Sequence, residues 1–202
     1  MSIARRSLLL AVSAAVSIPA LARAQAADPR LGERSTGKPD APVTVIEYFS
    51  LTCSHCAAFH SQTWPQVKAK LVDTGKVRMV WRDFPLDQLA LAGAVVARSL
   101  PAERYEAFVG ALLASQDRWA FARDADPIAE IAKIAAMAGM SRAQVDAALA
   151  DQALQRGILE VRLKGQQEHN VSSTPTFVFN NRPHAGAVTY ERFAELAGVS
   201  GS

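Results

Sequence analysis

Residues 41–60 read APVTVIEYFSLTCSHCAAFH. The first half is a nearly continuous run of apolar, β-branched and aromatic residues, which is typical of a buried central strand. The second half carries both cysteines of the chain, Cys53 and Cys56, and continues into residues that fit one face of a helix. The stretch therefore predicts a strand that turns directly into a helix, with the cysteine pair at the junction.

This position favours a reactive thiolate. The first turn of a helix has free backbone N–H groups and the positive end of the helix dipole, and both attract a negative charge. Cys53 is the cysteine best placed to be that anion, whereas Cys56 lies one turn further in and should be shielded. Residues three apart on a helix are also close enough to form a disulfide with little strain.

Two cysteines this close have three physical uses. They can form a redox-active disulfide, part of a metal site or a structural staple. A staple is the weakest of these, because so short a loop constrains the unfolded chain very little. Cys53, Cys56 and His60 form a C-x2-C-x3-H pattern, but structural zinc needs four protein ligands. Copper(I) accepts fewer and softer ligands, so a copper site remains open.

The N-terminus has the pattern of an export signal. Arg5 and Arg6 precede an apolar run of about 11 residues, well short of the roughly 20 that span a bilayer. Small residues follow, and they predict a signal peptide over residues 1–24, with cleavage after Ala24 or alternatively after Ala26. The adjacent arginines leave both the Sec and the Tat route open. Export places the cysteines in an oxidising compartment, where disulfides persist.

The charge of the chain gives no indication of nucleic-acid binding. The chain has 22 basic and 19 acidic residues, a formal net charge of +3. Arg5, Arg6 and Arg23 lie before the expected cut and no acidic residue does, so the mature chain has 19 of each. The remaining 178 residues (202 less 24) are a length typical of one domain, and no basic run with interleaved aromatic residues remains.

The rest of the chain adds strands at both ends of a helical block. A second strand is predicted within residues 76–86, and residues 87–168 are alanine-rich and helical. Ser141 and Gln144 predict a capping box within this block. After the block, a strand, a short strand and a helix are predicted, at residues 176–180, at 184–186 and from about Tyr190.

Three smaller expectations concern charged and polar residues. The segment 25–37 is rich in proline, glycine and charge, so we expect a flexible lead-in. Arg82 and Asp83 are expected to form an ion pair at the surface or sheet edge. His169 and His184 have no partner that the sequence identifies.

Together, the segments VIEYFSLTCSHCAAFH, VWRDFPL and VSSTPTFVFNN resemble the exported thiol–disulfide oxidoreductases of the DsbA type. The resemblance covers essentially the whole mature chain, from about Lys38 to Leu196. It implies an α/β thioredoxin fold with an inserted α-helical domain. It divides the chain into a thioredoxin-like domain and an insertion, with the domain formed by residues 38–86 and 169–202 and the insertion by residues 87–168.

The resemblance also implies roles for particular residues. Cys53 is the attacking nucleophile, Cys56 the resolving thiol, and His55 a side chain that stabilises the thiolate. Thr174 and Pro175 match the family's cis-proline loop, which presents backbone to an extended substrate peptide.

Glu47 is a further candidate catalytic residue. It shares a strand face with Val45 and Phe49, which is an apolar setting. Burial there should raise its pKa and let it exchange protons with Cys56 through water. The alternative is a carboxylate that reaches solvent or pairs with a base.

The function implied is that of a periplasmic oxidoreductase that introduces disulfides into exported proteins through a mixed disulfide. Its partners would be unfolded or reduced exported proteins and a membrane DsbB-like quinone-linked oxidase, and its only cofactor would be the Cys53–Cys56 disulfide, without a metal. The enzyme is expected to be a monomer, because residues 25–37 are too short for a dimerisation domain.

Two alternatives stay open. One is a disulfide isomerase or reductase, because Thr174 matches the dimeric isomerases rather than the enteric oxidant. The other is an exported copper-binding protein that uses Cys53, Cys56 and His60.

Overall fold

The computed structural model describes residues 28–199, and its centre is a mixed β-sheet. The strand order is β1-β3-β2-β4-β5. Strands β2 and β3 are parallel, and the other neighbouring pairs are antiparallel. The strands span β1 (Arg34–Thr36), β2 (Val43–Phe49), β3 (Val77–Asp83), β4 (Thr176–Phe179) and β5 (Arg182–Ala185). The signal peptide expected for residues 1–24 lies outside the described residues.

A nearly continuous helix follows the central strand β2. It consists of α1 (Ser54–Ala58) and α2 (Trp64–Val67), each followed by a wider π-helical turn, Phe59–Thr63 and Lys68–Val72. Pro65 lies in the first turn of α2. Proline lacks the N–H that a regular α-helical turn would use, and wide turns of this kind accommodate such a break.

Six helices lie between β3 and β4 within the described chain. Ser141 and Gln144 form the capping box that the sequence predicts. These helices are α3 (Gln88–Ser99), α4 (Ala102–Ala114), α5 (Gln116–Trp119), α6 (Pro127–Met137), α7 (Arg142–Ala150) and α8 (Gln152–His169). A last helix, α9 (Tyr190–Leu196), begins after the N-cap Thr189.

The sheet and the inserted helices share one hydrophobic core. Phe49 from β2, Leu112 from α4, Trp119 from α5 and Phe193 from α9 belong to the same contiguous cluster of buried side chains. Since burial of apolar surface dominates folding, the insertion is stabilised as part of the sheet's own core and not as a separate unit.

The expected flexible lead-in is partly built into the fold. Within it, Pro29–Leu31 forms a single 3₁₀ turn and β1 pairs with β3 along the edge of the sheet. Arg98 donates to the backbone carbonyls of Arg30 and Gly32, at 3.0 and 2.8 Å. These partners come from distant parts of the chain, so local composition did not reveal them.

The expectation of an Arg82–Asp83 surface ion pair is wrong. Asp83 is 2% exposed and accepts hydrogen bonds from Arg98 Nε at 2.5 Å and from the Tyr105 hydroxyl at 2.9 Å. Arg82 instead pairs with Glu33 at the surface, at 3.1 Å. The two side chains separate because consecutive residues of a strand face opposite sides of the sheet.

His169 has a partner that the sequence did not identify. Its Nδ1 lies 3.0 Å from the Tyr48 hydroxyl, and the interaction joins the end of α8 to strand β2. Among residues 28–199, no helix combines the length and the apolar character that crossing a bilayer requires.

Candidate active site

Cys53 is the N-cap residue of α1. Its backbone is extended and its Sγ accepts a hydrogen bond from the Cys56 N–H at 3.4 Å. An N-cap side chain satisfies an otherwise unpaired N–H of the first helical turn, and a negatively charged cap does so most strongly. The strand-to-helix junction therefore places the sulfur of Cys53 where a thiolate is stabilised.

The two cysteines differ in accessibility. Cys53 is 8% exposed, whereas Cys56 is fully buried. Both are free thiols in this structure. Both residues are therefore buried, and Cys53 is the one closer to the surface.

The two thiols also have opposite pKa shifts. Hydrogen bonding by the Cys56 side chain is the largest influence on the pKa of Cys53. Together with the backbone N–H groups of Cys56 and His55, it outweighs burial and lowers the pKa of Cys53 to about 5. At neutral pH Cys53 is thus a thiolate, the form that attacks a disulfide.

Burial is the main reason why the pKa of Cys56 lies well above its usual value. Its hydrogen bond to Cys53 adds to this effect, because the thiol must keep its proton to donate it. The negative charges of Glu47 and Cys53 raise the pKa further. Cys56 therefore remains a protonated thiol until a base removes its proton.

His55 is placed differently from the expectation. Its side chain is exposed, and the contribution of His55 among the main causes of the low Cys53 pKa comes from its backbone N–H. The main chain at the helix start thus contributes to the low pKa of Cys53, and the role of the imidazole stays a prediction.

The Thr174–Pro175 loop lies against the cysteines. The Thr174–Pro175 peptide bond is cis, and the Cys53 thiol donates to the Thr174 carbonyl at 3.2 Å. The loop is held on both sides: the Thr176 hydroxyl donates to Ser173 O at 2.7 Å, and the Gly186 N–H donates to Pro175 O at 2.8 Å. The loop thus provides a fixed backbone edge beside the thiol.

Glu47 is completely buried and close enough to both cysteines to interact with them electrostatically. Burial is the main reason why its pKa is raised, and His60 opposes this shift because an imidazolium would favour the carboxylate. Glu47 Oε2 lies 3.4 Å from His60 Nε2, and the two side chains are 0% and 7% exposed. The Glu47 carboxyl group is therefore both buried and beside a base. The sequence had left burial and pairing with a base as alternatives.

His60 is a site residue that sequence reasoning missed in this role. It lies seven residues after Cys53 and four after Cys56, so all three belong to the helix face that turns toward the sheet. That spacing is the signal that could have identified it. From the sequence, His60 was a candidate only as a copper ligand.

Gln116 is a second residue that sequence reasoning missed. Its buried side-chain amide donates to the carbonyls of Leu51 and Cys53, at 2.7 and 3.0 Å. The inserted helix α5 therefore holds the loop that carries the cysteines. No sequence pattern distinguishes this glutamine from those on the surface.

The copper pattern is not assembled as a metal site. Within residues 28–199, no group of three or more histidine, cysteine, aspartate or glutamate side chains is arranged to hold a metal ion. His60 is directed to Glu47, and Cys53 and Cys56 interact with each other.

Comparison with known proteins identifies the family. A family model described as thioredoxin matches residues 30–197. The crystal structure of alpha-DsbA1 from Wolbachia pipientis has a TM-score of 0.76 and 27% identity, and the match covers 83% of this chain and 89% of that chain. A protein-disulfide isomerase from Novosphingobium aromaticivorans has a TM-score of 0.72 and 25% identity, with coverage of 84% and 98%.

A curated relative is the Rickettsia bellii protein named "Putative protein-disulfide oxidoreductase". It is 37% identical over 84 residues, which are 41% of this chain and 32% of that protein. The match thus spans about a third of the relative's length. The family match extends over nearly all the described residues, and the likeness to DsbA structures includes the helical insertion predicted from sequence. This chain is a member of the thioredoxin family with the architecture of the DsbA-type proteins.

Proposed function

We propose that this protein is a periplasmic thiol–disulfide oxidoreductase that introduces disulfides into exported proteins. The observation that carries the proposal is the opposite pKa shift of two thiols within one helical turn, about 5 for Cys53 and far above its usual value for Cys56. One sulfur is a good leaving group and the other a protected resolving thiol, which is the division of roles that disulfide exchange needs.

The oxidising reaction starts from the Cys53–Cys56 disulfide. A substrate thiolate attacks Cys53 Sγ, the Cys53–Cys56 bond breaks, and its electron pair passes to Cys56, which takes up a proton. A second substrate thiolate then attacks the substrate sulfur of the mixed disulfide and releases Cys53 as a thiolate. The substrate is oxidised by two electrons, and the enzyme leaves as the dithiol.

A stabilised Cys53 thiolate favours this direction. Anything that stabilises the reduced form relative to the disulfide makes the disulfide a stronger oxidant. The hydrogen bonds that lower the pKa of Cys53 are interactions of the thiolate, and a disulfide sulfur gains much less from them.

Other site residues support the exchange. The carbonyl of Thr174, fixed beside Pro175, accepts a backbone N–H of an extended substrate, so that a short β-pairing aligns the substrate cysteine with Cys53. Glu47 donates a proton to Cys56 when its sulfur leaves and removes it in the reverse reaction. His55 contributes through its backbone N–H at the helix start.

The cellular setting follows from the export signal. Residues 1–24 direct the chain through the Sec or the Tat route to the periplasm, where its substrates are unfolded or reduced exported proteins. The dithiol is reoxidised by a membrane DsbB-like quinone-linked oxidase, and the protein acts as a monomer whose only redox group is the cysteine pair.

A disulfide isomerase or reductase is the second candidate. Thr174 favours it, because the residue before the cis-proline matches the isomerases, and one solved structural relative is titled a protein-disulfide isomerase. An isomerase must be kept reduced and must rearrange wrong disulfides, so the two functions differ in redox state and in reaction.

The deciding experiment compares two reactions of the mature protein. Oxidised protein is mixed with reduced ribonuclease, and reduced protein with scrambled ribonuclease, while sedimentation measures the oligomeric state. We expect a monomer that oxidises the reduced substrate faster than it rearranges the scrambled one. A stable dimer that mainly rearranges wrong disulfides would establish the isomerase instead.

A further inference from the structure

His60 lies between a buried acid and a cavity. The cavity has a volume of about 440 Å³ and separates the helix that begins with α1 from α4. His60 is one of its lining residues, and its Nε2 is at the same time 3.4 Å from Glu47. One imidazole therefore contacts both the acid and the cavity.

Glu47 has no direct contact with solvent. Its side chain is 0% exposed, and neither carboxyl oxygen has a hydrogen-bond partner among the described residues. Trp81 and Phe177 are its register partners on the neighbouring strands, and both are buried. A group in this setting exchanges protons slowly unless a neighbouring side chain carries them.

His60 is held in a fixed orientation by aromatic rings. The centroids of Trp81, Phe59 and Phe49 lie 5.3, 5.7 and 6.2 Å from that of the imidazole. Nε2 is itself buried, so the 7% exposure of the side chain belongs to its other atoms. The ring thus presents one nitrogen to the acid and another part of its surface to the cavity.

We propose that His60 is a positioning residue that carries protons between Glu47 and solvent through this cavity. The proposal rests on the oxidoreductase function above and deepens it. Histidine suits this task because both ring nitrogens bind protons and its ordinary pKa lies near neutrality.

The movement of the proton is easiest to follow when the reduced protein is oxidised, which is the reverse of the reaction with substrate. When the reduced protein meets oxidised glutathione, Cys53 attacks it and forms a mixed disulfide, and one glutathione thiolate leaves. Cys56 then transfers its proton to Glu47 and attacks Cys53 Sγ, and the second glutathione thiolate leaves. His60 passes the proton from Glu47 to water in the cavity, which restores the carboxylate for the next cycle.

Charged side chains line the cavity on both sides. Glu103 and Glu106 of α4 lie on one side and Lys68 on the other. These groups, together with Glu47 and the cysteines, are the titratable neighbours of His60 in the cavity wall and beneath it.

The test measures the two glutathione steps separately by acid quenching and mass analysis. His60→Gln should leave the attack of Cys53 unchanged and slow resolution by roughly 10-fold, which is less than the roughly 10² expected for loss of the acid itself. His184→Gln, a change of a histidine on β5, is the matched control and should leave both steps unchanged.

Two further variants distinguish proton transfer from a structural role. The cavity can admit free imidazole, so added imidazole should restore resolution in His60→Ala. If His60 acts through Glu47, the double variant Glu47→Gln/His60→Gln should be no slower than Glu47→Gln alone. The double variant also tests the proposal if His60→Ala does not fold.

Resolution at the wild-type rate in His60→Gln would overturn the proposal. Equal slowing of both steps, or a slow His60→Ala that imidazole does not restore, would overturn it as well. If wild-type protein forms no mixed disulfide with glutathione at all, the oxidoreductase function itself fails.

Discussion

The thiol of Cys53 donates a hydrogen bond to the backbone carbonyl of Thr174, across 3.2 Å and 121 positions of sequence. A thiolate has no proton to donate, so ionisation of Cys53 leaves this carbonyl with a free acceptor. A Cys53–Cys56 disulfide lacks this proton as well. In the proposed function, both the thiolate and the disulfide therefore leave the Thr174 carbonyl free to accept a substrate N–H.

Titration of Cys53 provides the first prediction. Thiolate absorbance of the reduced protein should show a midpoint near pH 5, the value to which the pKa of Cys53 is lowered. Cys56→Ala should raise this midpoint, because the Cys56 side chain is the largest cause of the shift, whereas Cys56→Ser keeps a hydroxyl donor and should raise it less. An unshifted midpoint in the wild-type protein would contradict the assignment of Cys53 as nucleophile.

The second prediction concerns the trapping of mixed disulfides when Cys56 is replaced. Cys56→Ser should accumulate mixed disulfides between Cys53 and cysteines of other proteins, because the resolving thiol is absent. The adducts are detected on non-reducing gels of cells that export the variant, and they should disappear on reduction. Cys53→Ser is the control and should form none; adducts in that variant would assign the roles of the two cysteines the other way round.

The third prediction concerns the rate of release of the mixed disulfide in the variant Glu47→Gln. This variant preserves shape but cannot carry the proton of Cys56, so release of the mixed disulfide should slow by roughly 10². Alkylation of Cys53 should be almost unchanged, since that reaction involves no proton of Cys56. Stopped-flow measurements of the two reactions give the comparison, and equal slowing of both would indicate a folding defect instead.

The fourth prediction is a pH dependence of stability. The pKa of Cys53 is about 5 in the folded reduced protein, and that of an unfolded thiol is about 8.5. Between these values the unfolded chain binds more protons, so the thiolate stabilises the fold increasingly as pH rises, by about 1.4 kcal/mol per pH unit, and this stabilisation is lost as pH falls through 5.

Denaturant unfolding of the reduced wild-type protein and of Cys53→Ser tests this dependence. Glu47 is present in both proteins, so its own titration largely cancels in the difference. The difference in unfolding free energy should grow from about pH 5 to about pH 8.5. A difference that is constant over this range would show that the Cys53 thiol is not strongly perturbed.

The fifth prediction concerns the buried ion pair of Asp83 and Arg98, whose side chains are 2% and 1% exposed. Asp83→Ala leaves a buried guanidinium without its charge partner and should lower the free energy of unfolding by about 3–5 kcal/mol. Arg82→Ala removes a surface pair with Glu33 and should cost less than about 1 kcal/mol. Thermal or urea unfolding measures both, and equal effects would contradict the burial described here.

The sequence predicted those elements that depend on residues close together in the chain. The strand that precedes the cysteines was expected within residues 41–50 and is observed at Val43–Phe49. Its apolar, β-branched composition is strong because the strand is central in the sheet and its residues Glu47–Phe49 are all buried. The capping box of Ser141 and Gln144 was predicted for the same reason, since its two partners are three residues apart.

The missed features depend on contacts between distant residues. β1 is a strand because β3 lies beside it, although its own sequence is charged and polar. Asp83 is buried because Arg98 and Tyr105 reach it from the insertion. A side chain's local sequence does not indicate a partner that arrives from another element, so such residues read as surface residues.

Within the site, the sequence predicted the residue types better than their partners. The thiol pair and a buried acid follow from position on a strand or helix. The imidazole beside Glu47 and the amide of Gln116 beneath Cys53 follow from packing, which one sequence without a structure does not provide.

The anchoring of the cysteine loop by Gln116 has a consequence for how the site moves. The carbonyls of Leu51 and Cys53 are held by a residue of α5, so the loop cannot open locally without also breaking contacts of the insertion. The mobility of the cysteine loop therefore depends on a helical segment more than 60 positions away in sequence. We therefore expect the loss of the Gln116 amide to change how long a mixed disulfide at Cys53 persists, although this side chain contacts neither sulfur.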